Sequence, residues 1–129
     1  MEESNEKVSQ LIPHYKIWIT DEHGNGILGD GKWKILKAVV EHGSLVAACK
    51  ALGITYRRTW GDLQTISKQL GFPLLATSRG GRDGGCSVLS PQGECLVKAF
   101  DRFHASTDAT VNEALQNFLN EVKTINNNG

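Results

Sequence analysis

The sequence lacks long hydrophobic runs, and it has few residues of the kinds that build disulfide frameworks or metal sites. Unbroken apolar stretches are only a few residues long, as at 38–40, whereas a membrane span needs roughly 20. The three cysteines, Cys49, Cys86 and Cys95, form no C-x-x-C pair, and the four histidines are scattered. We therefore expect free thiols that are buried or half-buried, and neither a metal nor a cofactor. The acidic, polar N-terminus is unlike a signal peptide, so we expect a cytoplasmic protein.

The chain also lacks net charge, but its charges are unevenly distributed. Residues 1–31 contain six acids and two bases, and residues 83–129 contain six acids and three bases. Between them, residues 32–82 contain nine bases and only two acids. A basic centre between acidic flanks indicates a polyanionic partner. With 129 residues, the chain is long enough for one ordinary domain.

Hydrophobic periodicity and turn residues predict an α+β fold. Alternation over 14–20, turn residues at 21–26 and a short return strand at 27–28 predict an N-terminal β-hairpin. A break at 29–31 precedes the first helix. The predicted helices, each followed by a glycine, are 32–42, 45–52 and 55–70, with Ser44 and Thr55 as N-caps.

A second hairpin and a long helix are predicted to follow. The strands are 74–78 and 86–89, with the glycine-rich stretch 80–85 as the tip. Ser90 caps the final helix and Pro91 takes its first position. Residues 105–110 are weak helix formers, so a break with Thr107 or Asp108 as a new cap stays open.

This order of elements predicts a winged helix-turn-helix with 55–70 as the recognition helix. Such a helix fits the major groove, where its first residues reach base edges. Arg57 and Arg58 lie in its first turn and are suited to guanine O6 and N7, and the Thr55 and Thr59 hydroxyls are suited to phosphate or base. Alternatively, the two arginines form a solvated helix face.

The predicted wing carries Arg79 and Arg82, which are suited to the phosphate backbone or the minor groove. An ordinary hairpin tip is the alternative. A nucleotide-binding loop is disfavoured, because the G-x-x-x-x-G-K-[ST] pattern is absent. Tyr56 and Trp60 share helical spacing with apolar neighbours, so we predict core positions for them rather than base stacking, although the Tyr56 hydroxyl could still reach a phosphate.

Residues 43–96 resemble the DNA-binding domain of the ModE-type molybdate-responsive repressors. The matching motifs, in order, are Gly-Ser-Leu at 43–45, Gly-Ile-Thr-Tyr-Arg-Arg-Thr-Trp at 53–60, the glycine-rich 80–85 and Leu-Ser-Pro-Gln-Gly at 89–93. With the preceding hairpin and helix, the similarity covers about 14–105. LysR-type regulators share the general plan, but their recognition helix usually opens without this Tyr-Arg-x-x-Trp.

The resemblance implies a homodimeric transcription regulator. It implies DNA contacts from Thr55, Tyr56, Arg57 and Arg58 and, in the wing, from Arg79 and Arg82. Thr59 departs from the small alanine or serine usual in the family. Full-length members bind molybdate in C-terminal domains, and we expect no molybdate binding from this chain.

The sequence thus predicts four segments: a flexible lead at 1–13, a winged helix-turn-helix domain at 14–104, a helical dimerisation segment at 105–125 and a disordered tail at 126–129. The predicted DNA-binding residues are Ser44, Thr55, Tyr56, Arg57, Arg58, Thr59, Lys68, Arg79 and Arg82. The predicted dimerisation residues, at near-heptad intervals, are Leu96, Phe100, Phe103, Val111, Leu115, Phe118 and Val122. A protein-interaction module without DNA binding is the alternative function, and no catalytic constellation is found.

Overall fold

A computed structural model describes residues 2–78 and 86–128. The chain divides into two compact units, a larger one formed by Lys16–Phe100 and a smaller one formed by Met1–Tyr15 with Asp101–Gly129. The elements are α1 (Glu2–Ser9), β1 (Trp18–Thr20), β2 (Gly26–Gly29), α2 (Asp30–His42), α3 (Leu45–Leu52), α4 (Tyr56–Leu70), β3 (Leu75–Ser78), β4 (Cys86–Leu89) and α5 (Pro91–Asn128). This order confirms the predicted winged helix-turn-helix, with its N-terminal hairpin and long C-terminal helix.

The larger unit is built around leucines contributed by its successive elements. Leu36 of α2, Leu45 of α3, Leu63 of α4 and Leu74 just before β3 are fully or almost fully buried. Each such side chain contributes roughly 1.5–3 kcal/mol through its removal from water. Ala48 of α3 is also buried, and its small side chain lets a neighbouring helix approach closely.

The helix ends in this unit follow from local chemistry. Ser44 is in extended conformation, and its Oγ accepts the Ala47 N–H at 3.1 Å, which caps α3. Gly43 and Gly53 end α2 and α3 in the left-handed region, at φ values of 89° and 67°. A side chain is strained there, so glycine is favoured. The predicted bounds of α3 and its cap are therefore confirmed.

The first hairpin is shorter than the alternation predicted. β1 covers only Trp18–Thr20 and pairs antiparallel with β2. The Ile17 N–H donates to the Asp30 carboxylate at 3.2 Å, and its carbonyl accepts the Asp30 N–H at 3.1 Å. Asp30 thereby begins α2. The predicted break at 29–31 is therefore wrong for residues 30 and 31, which belong to the helix.

The second hairpin forms the base of the wing. β3 and β4 pair antiparallel from Leu75 opposite Leu89 to Ser78 opposite Cys86. The predicted tip, including Arg79 and Arg82, lies outside the described residues. Of the cysteines, Cys49 is buried and Cys86 half-buried, but Cys95 is exposed, contrary to expectation.

The smaller unit contains more helix than the sequence predicted. Residues 2–9 form α1, where a flexible lead was expected, and α5 runs without interruption to Asn128. No break occurs at 105–110. The Thr107 hydroxyl donates to the Phe103 carbonyl at 2.9 Å, and the Thr110 hydroxyl donates to the Ser106 carbonyl at 3.1 Å. These polar side chains are satisfied within the helix, so they need not end it.

Candidate nucleic-acid interface

Burial divides α4 into an inner and an outer face. The inner face consists of Thr59, Leu63, Ile66 and Ser67, all buried. The outer side carries exposed polar and basic side chains: Arg57, Arg58, Thr65, Lys68 and Gln69. The exposed residues at 57, 65 and 68 recur at the spacing that shares one side of a helix, so α4 presents a continuous polar and basic surface.

The start of α4 is open to solvent. Thr55 occupies the N-cap position and is exposed, and within the described residues its side chain makes no capping hydrogen bond. Tyr56, Arg57 and Arg58 follow it, and all three are exposed. The first-turn N–H groups and the positive end of the helix dipole therefore remain suited to an anion, and two arginines flank them.

Ser44 stands at the start of α3. It is half-buried, and its hydroxyl oxygen is occupied by the Ala47 N–H. A hydroxyl has a proton to donate as well as lone pairs. Ser44 is therefore a helix cap first, and it retains donor capacity toward a phosphate oxygen.

Two expectations for α4 require correction. Thr59 is 5% exposed and its hydroxyl donates to the Thr55 carbonyl at 2.8 Å, so it does not face a ligand. Tyr56 and Trp60 are 37% and 43% exposed, so their predicted core positions are wrong. The small Thr59 and Ser67 take the inward positions instead, which turns Trp60 to the edge of the buried face.

A buried serine that the sequence analysis missed joins α4 to the base of the wing. The Ser67 hydroxyl donates to the Leu63 carbonyl at 2.8 Å and accepts the Leu74 N–H at 3.0 Å. The Leu74 carbonyl in turn accepts the Ser90 N–H at 2.8 Å. The available signal was a polar residue within the apolar stripe of α4. This chain of bonds fixes β3 relative to α4.

Ser90 and Gly93 anchor the start of α5 at the same place. The Ser90 hydroxyl donates to the Pro73 carbonyl at 2.5 Å and accepts the Gly93 N–H at 2.9 Å, which confirms the predicted cap. A Cβ on Gly93 would overlap the Leu74 carbonyl oxygen. Only glycine therefore fits at this crossing without movement of the backbone.

The single acid of α4 is paired. The Asp62 carboxylate lies 3.0 Å from the Lys32 ammonium of α2, and both side chains are part-exposed. Such a pair contributes little to stability. Its consequence is electrostatic, because Lys32 offsets the one negative charge that α4 carries.

The predicted dimerisation residues have different environments. Leu96 packs against the core of the larger unit, and Phe100 is part of that core and contacts Trp33, so Phe100 is not exposed for a second copy. Phe103 and Phe118 are 47% and 54% exposed. Three further positions are half-buried: Val111, Leu115 and Val122. The sequence analysis did not include Ile125, which continues the spacing and is exposed.

Comparisons with known proteins agree with this architecture. Residues 31–94 match the family model described as bacterial regulatory helix-turn-helix protein, lysR family.

Among residues 2–78 and 86–128, no helix is both long and apolar enough to cross a membrane.

Three curated relatives illustrate the similarity. The molybdenum-pterin-binding protein MopB of Rhodobacter capsulatus is 32% identical over 78 residues, covering 60% of this chain and 29% of MopB. The molybdenum transport protein ModE of Azotobacter vinelandii is 27% identical over 95 residues, covering 74% of this chain and 35% of that protein. The transcriptional regulator ModE of Haemophilus influenzae is 31% identical over 68 residues, covering 53% of this chain and 27% of that protein.

The aligned parts thus amount to about a third or less of each relative. The family model at residues 31–94 includes the helix-turn-helix region, whose motifs carried the resemblance noted in the sequence. Residues 31–94 therefore match the bacterial regulatory helix-turn-helix domains of lysR type, and the winged helix-turn-helix domain of this chain is similar to that of the ModE-type regulators.

Proposed function

We propose that this protein is a homodimeric transcription regulator that binds double-stranded DNA sequence-specifically in the cytoplasm. The observation that carries the proposal is the start of α4. Arg57 and Arg58 are exposed there, in the first turn of a helix that begins three residues after the turn glycine Gly53 and whose opposite face is buried. A helix presented in this way fits the major groove, and an arginine fork pairs with guanine O6 and N7.

The larger unit has the charge that a DNA-binding surface needs. Lys16–Phe100 contains eleven basic and seven acidic residues, and the acid on α4 is paired with Lys32. Phosphate contacts by such bases release counterions, so affinity should fall steeply with salt.

The proposed contacts divide into two classes. Thr55, Tyr56, Arg57 and Arg58 would read base edges or adjacent phosphates from the first turn of α4. The positioning contacts, which carry no sequence information, would be made by Ser44, Lys68, Arg79 and Arg82. Thr59 is left out, because it is buried.

The proposed dimer uses the apolar positions of α5. Val111, Leu115, Phe118, Val122 and Ile125 alternate at spacings of four and three, which is the pattern of a coiled-coil seam. Phe118 and Ile125 are 54% and 70% exposed. Two joined copies would bind an imperfect palindrome whose half-sites are about one helical turn, or a multiple of it, apart.

Selection of bound sequences from random DNA, followed by gel-shift titration, tests the proposal. Arg57→Ala should relax the preference at one base pair by about 1–3 kcal/mol, or roughly 5- to 150-fold. Arg79→Ala and Arg82→Ala should weaken binding to all sequences alike and reduce the salt slope. Arg102→Ala is the matched control, since Arg102 is an exposed arginine in the smaller unit, and it should leave binding unchanged.

Two results would contradict the proposal. The first is unchanged affinity and salt slope for Arg57→Ala, Arg79→Ala and Arg82→Ala. The second is the absence of any enriched motif together with no retention of DNA at low salt. That second result would favour a winged-helix module that binds proteins instead.

A further inference from the structure

Gly61 stands in the interior of α4, where glycine is unfavourable. It is the sixth residue of the helix Tyr56–Leu70, and its φ is not positive. Glycine loses more backbone freedom than any other residue when it becomes helical, and alanine is the most favourable replacement. A recognition helix with a glycine here is therefore less stable than it could be.

No internal contact explains this glycine. Apart from its two chain neighbours and the backbone of α4 itself, no described atom lies within 4 Å of the position that a Cβ on Gly61 would take. At Gly29 and Gly93, in contrast, a Cβ would collide with the carbonyl oxygens of Ile17 and Leu74. Those two glycines are required by the fold, whereas alanine fits freely at Gly61.

Gly61 lies on the outer side of α4. Arg57 is one turn before it and Thr65 is one turn after it, and both are exposed. The Thr65 hydroxyl donates to the Gly61 carbonyl at 3.1 Å, so the Thr65 side chain turns back along the helix at this point. Lys68 continues the same exposed side. Between two basic residues, α4 thus has a partly exposed stretch of nearly bare backbone.

We propose that Gly61 is the point at which DNA lies closest to the backbone of α4. This inference rests on the proposed function. Absence of a side chain would let the base edges in the major groove approach the Cα atom, while Arg57 and Lys68 extend past it on either side. Gly61 is then a positioning residue that sets the depth of the helix in the groove.

The test compares two glycine-to-alanine variants of the full chain. Gly31 is the matched control, because it lies exposed in α2 and its Cβ position is likewise clear of every described atom outside its chain neighbours and the backbone of its own helix. Both Gly61→Ala and Gly31→Ala should raise the midpoint of thermal unfolding. Only Gly61→Ala should weaken binding to the selected operator, by tenfold or more, and Gly61→Gln should weaken it further.

Titration of the unmodified protein separates the two possible failures. Failure of the wild-type chain to select and bind any DNA overturns the proposed function, and this inference with it. Tight operator binding by the wild type and equal affinity for Gly61→Ala overturn the inference alone. Equal loss of affinity in Gly31→Ala and Gly61→Ala overturns it too, because the effect would then be unrelated to the outer side of α4.

Discussion

The two units of this chain differ in charge and in the placement of apolar side chains. Lys16–Phe100 has eleven bases and seven acids, whereas the smaller unit has three bases and seven acids. Both units expose some large apolar side chains, but among the described residues thirteen apolar side chains are buried in the larger unit and only that of Leu119 is buried in the smaller one. The exposed apolar side chains of the smaller unit include Leu11, Ile12, Phe103, Phe118 and Ile125.

The difference in charge reconciles the zero net charge of the chain with the polyanionic partner that we propose for it. The excess of bases lies in the unit that carries the helix-turn-helix. The excess of acids in the other unit brings the net charge of the whole chain to zero but leaves the larger unit positive. It also suggests a division of work. The larger unit is proposed to read DNA, and the exposed apolar side chains of the smaller unit are proposed to join two copies.

The largest expected effect comes from a charge placed in the proposed seam. Phe118→Glu should abolish the dimer, because an ionised carboxylate cannot be buried there without a partner. Binding to a palindromic operator should fall by about 10²–10⁴-fold, since two linked half-site contacts become one. Binding to an isolated half-site should not change.

Analytical ultracentrifugation and fluorescence anisotropy measure the two quantities. Asn117→Glu is the matched control, because it adds the same charge at an exposed neighbouring position of α5. If the Phe118→Glu protein remains dimeric, the smaller unit does not form the interface between copies that we propose.

The next effect concerns stability in the larger unit. Gly93→Ala should lower the free energy of unfolding by about 1–3 kcal/mol, because the added methyl group forces backbone movement at Leu74. All three tryptophans, Trp18, Trp33 and Trp60, lie in the larger unit, so their fluorescence in urea reports this loss.

Gln92→Ala changes the exposed neighbouring residue of α5 and should alter stability by no more than a few tenths of a kcal/mol. If Gly93→Ala has an equally small effect, the Leu74 carbonyl can move away from residue 93 at little cost, and the glycine is not required there.

The sequence predicted the elements of the larger unit well because their signals are local. Ser44 caps the helix that begins one residue later, and Gly53 adopts a backbone conformation that other residues avoid. These preferences act over a few residues and need no knowledge of the rest of the chain.

The rotation of α4 was not predictable in the same way. Periodicity grouped Trp60 with Leu63, but which residues point inward depends on the elements that α4 meets. There, the small Thr59 and Ser67 fit against the core. The bond from Ser67 to Leu74 crosses a chain reversal, so no periodic pattern reveals it. The helix α1 was missed because a short, polar, acidic segment has little helix signal of its own.

A smaller effect is expected in the smaller unit. The Tyr15 hydroxyl donates to the Asp108 carboxylate, and the Tyr15 ring stacks on His104 with centroids 6.0 Å apart. Tyr15→Phe keeps the stacking and removes the hydrogen bond, which should cost about 0.5–1.5 kcal/mol. Hydrogen exchange within α5 should become faster around Asp108, while half-site binding stays the same. Weaker half-site binding would show that the two units are not independent in function.

The smallest effect tests the turn of the first hairpin. The Asp21 carboxylate accepts the N–H groups of Asn25 and His23, both at 2.9 Å, and the Asn25 side-chain amide at 3.0 Å. These bonds, led by that from the Asn25 backbone, hold the pKa of Asp21 below its ordinary value of 3.8.

A lowered pKa in the folded state means that the ionised carboxylate stabilises the fold at pH values above 3.8, and that this contribution disappears as the pH falls through the folded-state pKa. Asp21→Asn should therefore lower the thermal midpoint slightly near pH 7, and the difference from wild type should shrink below pH 3.8. Thermal scans from pH 7 to pH 3 measure it. A constant difference across that range would mean that the turn depends on the shape of residue 21 and not on its charge. DNA binding near pH 7 should be the same in both proteins. The turn lies in the larger unit, but it is not among the residues proposed to contact DNA.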